Sequence, residues 1–261
     1  MSADALTTAD LNMPVTPATV PATVPATPSV PAAPLVAADL EGTCTAGATW
    51  RGVGRWLAAN GRRGRFRRFL APRLAAIPLV RLGLISREDF RNRWIRDLAR
   101  LLEGLTPDEL ETVAQWVVDE ELWPRRRRAV IAELEAAAAA GTRVVVASGT
   151  YQPVLAAFVD RMAGGPAGPV VGLGTPLALD EGRTTGRLAA PIGTGPRKAE
   201  RVRALAGGAP LAVAYGDSLA DIPLLEGAGE AVAVAPDREL RPIAVARGWR
   251  ILDDPPGSLG R

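Results

Sequence analysis

Hydrophobic positions along this chain follow two regimes that change near residue 141. From residue 142 onward, short apolar runs alternate with amphipathic stretches. The runs at 143–147, 169–173, 211–216, 230–234 and 249–252 are too short for helices and are bounded by turn residues, so the pattern predicts buried strands there. Segments 152–162, 196–206, 219–227 and 238–247 carry helical spacing, and 175–190 suits a small hairpin. Leu35 to Leu40 is one further apolar run, closed by Glu41 and Gly42. Strand–helix alternation of this kind predicts an α/β fold, a Rossmann-like parallel sheet core with helices on both faces.

Between Ala46 and Gly141 the spacing is helical. Ser86-Arg87-Glu88-Asp89 has the form of a capping box, and Thr106-Pro107-Asp108-Glu109 opens another helix with proline at its first position. Arg125 to Ala140 is rich in helix formers and stops at Gly141. Because it follows the first strand, this block reads as an inserted helical cap. The first 33 residues are of low complexity, with Pro-Ala-Thr-Val at 17–20 and again at 21–24. They predict an extended, disordered tail. The expected organisation is a tail at 1–33, an α/β core built from 34–45 and 142–261, and a helical cap at 46–141.

Composition removes several chemistries. The chain has no histidine, which excludes a Ser-His-Asp triad, a phosphohistidine and a histidine-bound zinc. Its single cysteine, Cys44, cannot pair within the chain, and Trp50 stands where a cysteine-phosphatase loop would need arginine. No stretch approaches the roughly 20 apolar residues of a membrane span, and no basic start leads into an apolar run. The expected setting is cytoplasmic.

Charge adds two features. Lys198 is the only lysine, against 30 arginines. A bias this strong reflects coding composition, which weakens arguments from arginine number and strengthens one from the retained lysine. Net charge is only +3, yet fourteen arginines against three acids lie between Arg51 and Arg100. Charge so concentrated attracts anions. For the run Arg62 to Arg68 three readings stay open. It is a solvated helix face, a weak contact for an acidic head group or anionic membrane surface, or a nucleic-acid contact with Phe66 and Phe69 interleaved. No recognised binding module surrounds it, so no nucleic acid is expected. Arg51 and Arg55, early in the cap, are the candidates for substrate contacts.

In an open parallel sheet, ligands bind beyond the carboxyl ends of the strands. Asp39, Ser148 and Asp217 each fall at or just past such an end. Together with Lys198 they suit transfer of a phosphoryl group onto a carboxylate, which needs a nucleophile, positioning and charge neutralisation. Asp39 is the candidate nucleophile. Glu41, two residues on, is the candidate general acid and then base. Asp217 and Asp221 offer hard oxygens for Mg²⁺. Ser148, Gly149 and Lys198 are the candidates for holding the phosphoryl oxygens.

Read in order, Asp39-Leu40-Glu41-Gly42-Thr43, Ser148-Gly149, Lys198 and Gly216-Asp217-Ser218-Leu219-Ala220-Asp221 resemble the four motifs of the haloacid dehalogenase superfamily. The likeness covers roughly residues 35–252. The helical insertion and the segment Thr184 to Leu188 are similar to the phosphoserine phosphatase branch, subclass IB. The resemblance implies a Mg²⁺-dependent phosphatase that works through an aspartyl phosphate on a small phosphorylated substrate of the phosphoserine kind, with Asp39 and the backbone carbonyl of Glu41 joining Asp217 and Asp221 around the metal. Transfer to an alcohol acceptor, or a non-catalytic module for anionic lipid or nucleic acid on the same scaffold, are the alternatives. Two positions depart from the family pattern. Glu41 replaces the usual second aspartate, and Ala220 stands where phosphoserine phosphatases carry asparagine, which removes one polar contact to substrate.

Overall fold

A computed structural model describes residues 33–165 and 170–253. All of the expected tail except residue 33 lies outside them. Six parallel strands form the central sheet: β1 (Leu35–Ala38), β2 (Arg143–Tyr151), β3 (Val170–Thr175), β6 (Leu211–Gly216), β7 (Glu230–Val234) and β8 (Arg250–Leu252), in the spatial order β3-β2-β1-β6-β7-β8. The chain starts at the centre, runs out through β2 and β3, then returns to β6 on the other side of β1. The switch point of the topology therefore lies between β1 and β6. A Rossmann-like α/β sheet follows, as the alternating pattern predicts.

Strand side chains alternate between faces, and the core divides accordingly. Leu35, Ala37, Val145, Ala214 and Ala233 pack on one face against Ala199 and Val202 of α7 (Pro196–Ala206), Leu224 and Leu225 of α8 (Ile222–Leu225), and Leu240 and Ala244 of α9 (Leu240–Ala246). Val36, Ala38, Val144, Val146 and Val232 pack on the other face. Their partners include Leu155 and Phe158 of α6 (Gln152–Ala163) and Val130 and Leu134 of α5 (Arg128–Ala139).

The same apolar cluster continues into α1 (Thr49–Ala59), α2 (Arg63–Arg81), α3 (Arg87–Ala99) and α4 (Pro107–Val117) through Val53, Leu57, Phe69, Leu98, Val113 and Val117. Thr106 and Glu109 form a full capping box at α4. At α3 only half of the expected box is made: the Ser86 side chain accepts from the Asp89 backbone N–H, and the short Asp89 side chain returns no bond to Ser86. A π-helical turn at Val118–Leu122 follows α4.

The helix expected over Arg125 to Ala140 starts later. Arg125 to Arg127 are not helical in the α sense, and α5 begins only at Arg128. This helix lies on the sheet, where Glu133 accepts hydrogen bonds from the Tyr215 hydroxyl (2.6 Å) and from Arg250 (2.6 Å). Its apolar face, Val130, Ile131 and Leu134, is what the sheet needs covered. The hairpin of β4 (Leu177–Asp180) and β5 (Arg183–Leu188) forms a separate two-stranded sheet. It docks on the helical block through buried Thr184, whose hydroxyl donates to the Leu102 carbonyl and accepts from the Leu105 N–H.

Candidate active site

β1 ends at Ala38, and the chain carries Asp39 straight out of the sheet beside β6, where the Asp39 N–H donates to the Tyr215 carbonyl (3.1 Å). On the neighbouring strand β6 ends at Gly216, so Asp217 emerges next to Asp39. Carboxylate oxygens of Asp39, Asp217 and Asp221 lie within 4.8 Å of one another. Gly216 permits this crowding: a Cβ there would stand 2.4 Å from the Cβ of Asp221.

Lys198, in the first turn of α7, is 4% exposed and reaches into the cluster. Its ammonium donates to Asp39 (2.5 Å) and to Asp221 (2.7 Å). Burial works to lower its pKa, but the charges of Asp221 and Asp39 outweigh this and raise it, so Lys198 stays cationic. The other oxygen of Asp221 accepts from the Asp217 N–H, the Ser218 N–H and the Ser218 hydroxyl. Both oxygens of Asp221 are thus engaged. Asp221 orients Lys198 and the loop, and Asp39 and Asp217 are the acids with oxygens to spare.

Three carboxylates face one ammonium, and the imbalance appears in the titration of Asp39 and Asp217. Burial, then the neighbouring charges of Asp39 and Asp221, push Asp217 up to about 8. Burial lifts Asp39 to about 6, with Lys198 pulling against it. A group of hard oxygens short of positive charge suits a hard divalent cation.

Glu41 departs from this cluster. Its carboxylate accepts from the Thr49 N–H (3.0 Å) at the first position of α1. That helix has Ala48 at its N-cap and no side-chain cap of its own. Glu41 supplies the missing acceptor from the preceding turn, and the negative charge sits favourably at the helix N-terminus. Aspartate would be one methylene shorter on the same backbone. Burial raises the pKa of Glu41, with the Thr49 hydrogen bond opposing.

Ser148 and Gly149 lie on β2 opposite β1, and with Asp39, Glu41, Lys198 and Asp221 they line a cavity of about 390 Å³. The Ser148 hydroxyl accepts from the Thr150 N–H (3.3 Å). Arg51 and Arg55, expected at the substrate, do not line this cavity. Arg55 is 3.1 Å from Glu121, and Arg51 is 4.0 Å from it. Arg125 adds a third guanidinium at 2.9 Å. Glu121 is only 1% exposed, and a carboxylate removed from water needs such cations around it. The arginine that does line the cavity is Arg91.

A family model described as haloacid dehalogenase-like hydrolase matches residues 36–226. The chain belongs to this family. Phosphoserine phosphatase SerB1 of Mycobacterium tuberculosis is 33% identical over 166 residues, which is 60% of this chain and 51% of the relative. The chain thus spans about half the length of that curated relative. A putative hydrolase of Mycobacterium leprae is 30% identical over 223 residues, covering 82% of this chain and 71% of its own. Among solved structures, a protein of unknown function from Bordetella pertussis Tohama I superposes with a TM-score of 0.69 at 24% identity, covering 85% of this chain and 99% of its own.

In this haloacid dehalogenase-like hydrolase, several residues of the site escaped motif reading. Thr43 donates its hydroxyl to Asp217 (3.0 Å) and fixes that carboxylate from the β1 side. Gly42 has φ +99, and an added Cβ would fall 2.2 Å from a carboxylate oxygen of Asp217. The Thr49 and Thr150 hydroxyls meet at 2.7 Å and tie α1 to the end of β2. Trp50, Phe90, Arg91, Trp94 and Thr194 line the cavity from the helical block and the loop before α7. Thr43 had a signal, since it closes the first motif. The cavity walls had none: α3 is amphipathic at helical spacing like any packed helix.

Proposed function

We propose that the protein is a Mg²⁺-dependent phosphomonoester hydrolase that passes through an aspartyl phosphate on Asp39. One observation carries the reading: two carboxylates with oxygens to spare, Asp39 and Asp217, lie within 4.8 Å of each other at the switch point of a parallel sheet, with the buried ammonium of Lys198 on Asp39. Family membership and a relative named phosphoserine phosphatase support the same chemistry.

In this reading an Asp39 oxygen attacks phosphorus, the bond from phosphorus to the alcohol oxygen breaks, and Glu41 gives that oxygen a proton. Glu41, now a carboxylate, takes a proton from water as the water oxygen attacks the aspartyl phosphate. Inorganic phosphate leaves and Asp39 is regenerated. The raised pKa of Glu41 suits the proton-donating half of this cycle. Lys198 and the Ser148 hydroxyl face the phosphoryl oxygens, and Asp221 holds Lys198 in place. Asp39 and Asp217 would hold the magnesium ion, which would offset the negative charge that otherwise repels an anionic substrate. The inserted helices α1 to α4 act as the cap that shields the phosphoryl centre from water.

Replacing Asp39 with asparagine tests the assignment, because the amide keeps the shape and hydrogen-bonding size but is no nucleophile. Turnover of 4-nitrophenyl phosphate by Asp39→Asn should fall by roughly a thousandfold or more, with an unchanged circular dichroism spectrum. Activity within tenfold of the parent would remove Asp39 from the role.

A further inference from the structure

Above the carboxylate floor, the cavity wall is apolar and aromatic. Trp50, Phe90, Trp94, Ile95 and Leu98 line it, together with buried Tyr151. The rings hold one another in place: Trp94 meets Trp50 edge-on at 5.3 Å and Phe90 at 5.6 Å. Trp94 also packs edge-on against buried Phe69 at 5.6 Å. These contacts make the wall a rigid surface.

Consider a serine moiety against that wall. Its ammonium would need a free acid, and the acids that line the cavity are Asp39, Glu41 and Asp221. Asp221 is saturated by Lys198 and the 217–218 loop, Glu41 holds the N-terminus of α1, and Asp39 is the nucleophile. An ammonium left without a partner beside tryptophan and leucine carries a heavy desolvation cost. Ala220, which also lines the cavity, offers a serine moiety no polar side-chain group. A hydrophobic alcohol has no such problem and removes its own surface from water on entry.

Resting on the phosphatase reading above, we propose that the substrate is the phosphomonoester of a bulky apolar alcohol and not phosphoserine. The alcohol body lies against Trp50, Phe90 and Trp94, and the phosphoryl group reaches Asp39.

Three primary alkyl phosphates of similar intrinsic reactivity test this with the full chain and Mg²⁺: 2-phenylethyl phosphate, decyl phosphate and phosphoserine. The proposal expects kcat/KM for one or both apolar esters to exceed that for phosphoserine by roughly 10- to 100-fold, and the better of the two tells a ring from a chain. Trp94→Ala should lower the apolar value by roughly tenfold or more and change phosphoserine turnover less than threefold. If Trp94→Ala fails to fold, Phe90→Ala at the half-buried rim replaces it with the same expectation. Phosphoserine equal to or better than both apolar esters overturns the substrate class and leaves the phosphatase reading standing. Binding separates the opposite failure. Tryptophan fluorescence of Asp39→Asn should be quenched by 2-phenylethyl phosphate at concentrations at least tenfold lower than by phosphoserine. That result with no turnover of any ester would uphold the pocket and reject the hydrolase, and equal quenching would reject the pocket.

Discussion

At the scale of single residues, the site is built from short-range steric and electrostatic demands that exclude near neighbours. Gly42 is the sharpest case. Its φ of +99 is one that side chains rarely adopt, and its Cα faces Asp217 so closely that any Cβ overlaps the carboxylate. Gly42→Ala should cost about 1–2 kcal/mol from the backbone alone. It should also abolish most turnover, because Asp217 must leave its place opposite Asp39. Thermal unfolding and 4-nitrophenyl phosphate kinetics measure the two effects separately. Glu41 allows a finer test. Glu41→Gln keeps an oxygen for the Thr49 N–H, so the cap on α1 and the melting temperature should hold. What it loses is the proton for the leaving oxygen. Turnover of an alkyl phosphate should therefore fall by roughly 100-fold, while 4-nitrophenyl phosphate, whose leaving group needs no proton, should lose far less in the phosphorylation step. Equal losses for both substrates would assign Glu41 to positioning. The sequence shows Asp39, Glu41 and Asp217 as candidates because each is an acid at or near a strand end, and Lys198 because it is the only lysine. It does not show that Asp221 spends both oxygens on Lys198 and the 217–218 loop, since that follows from how the loop turns back over Gly216.

At the scale of elements, the strands were legible because a buried parallel strand writes its burial on both faces as an unbroken apolar run. β6 and β7 start and end where the pattern places them. β2 runs further than its apolar run, through Ser148 to Tyr151, because the polar residues at its end belong to the site and not to solvent. α5 shows the limit of this kind of reading. Arg128–Ala139 continues the helical spacing of the block before it, so sequence assigns it to the cap, yet it lies on the sheet. Glu133 decides the matter, accepting two bonds from Arg250 of β8 and one from Tyr215 of β6. Hydrogen bonding from Arg250, above all, holds the Glu133 pKa below its usual 4.5. A carboxylate with a depressed native pKa adds stability above its unfolded value and loses it as pH falls through the native value. Between about pH 5 and pH 3, Glu133→Gln should therefore lose less melting temperature than the parent, while starting from a lower value at pH 7. Parallel curves over that range would show that the α5 contact contributes nothing to acid sensitivity.

For the described part of the molecule, the uneven distribution of charge is the remaining question. The arginines of the run at 62–68 divide by what they touch. Arg65 donates to the Arg100 carbonyl (2.6 Å), whereas Arg62, Arg63, Arg67 and Arg68 are exposed, and none of the five lines the cavity. The two aromatic residues among them are not free for base stacking. Phe66 sits over Gly54 and stacks on Phe69 at 5.9 Å, and Phe69 is buried against Trp94. No helix among the described residues is long and apolar enough to cross a membrane. What these four exposed guanidinia retain is their field. A dianionic substrate approaching the pocket feels it only within the screening length, about 8 Å at physiological ionic strength and about 30 Å at 0.01 M. Changing Arg62, Arg63, Arg67 and Arg68 together to glutamine should therefore leave kcat for 4-nitrophenyl phosphate unchanged at every salt concentration. It should leave kcat/KM within about twofold at 0.15 M and lower it several-fold at 0.01 M, where steering of the encounter operates. A fall in kcat at 0.15 M would instead place one of these arginines at the substrate during turnover, in an arrangement of α2 different from the one seen here.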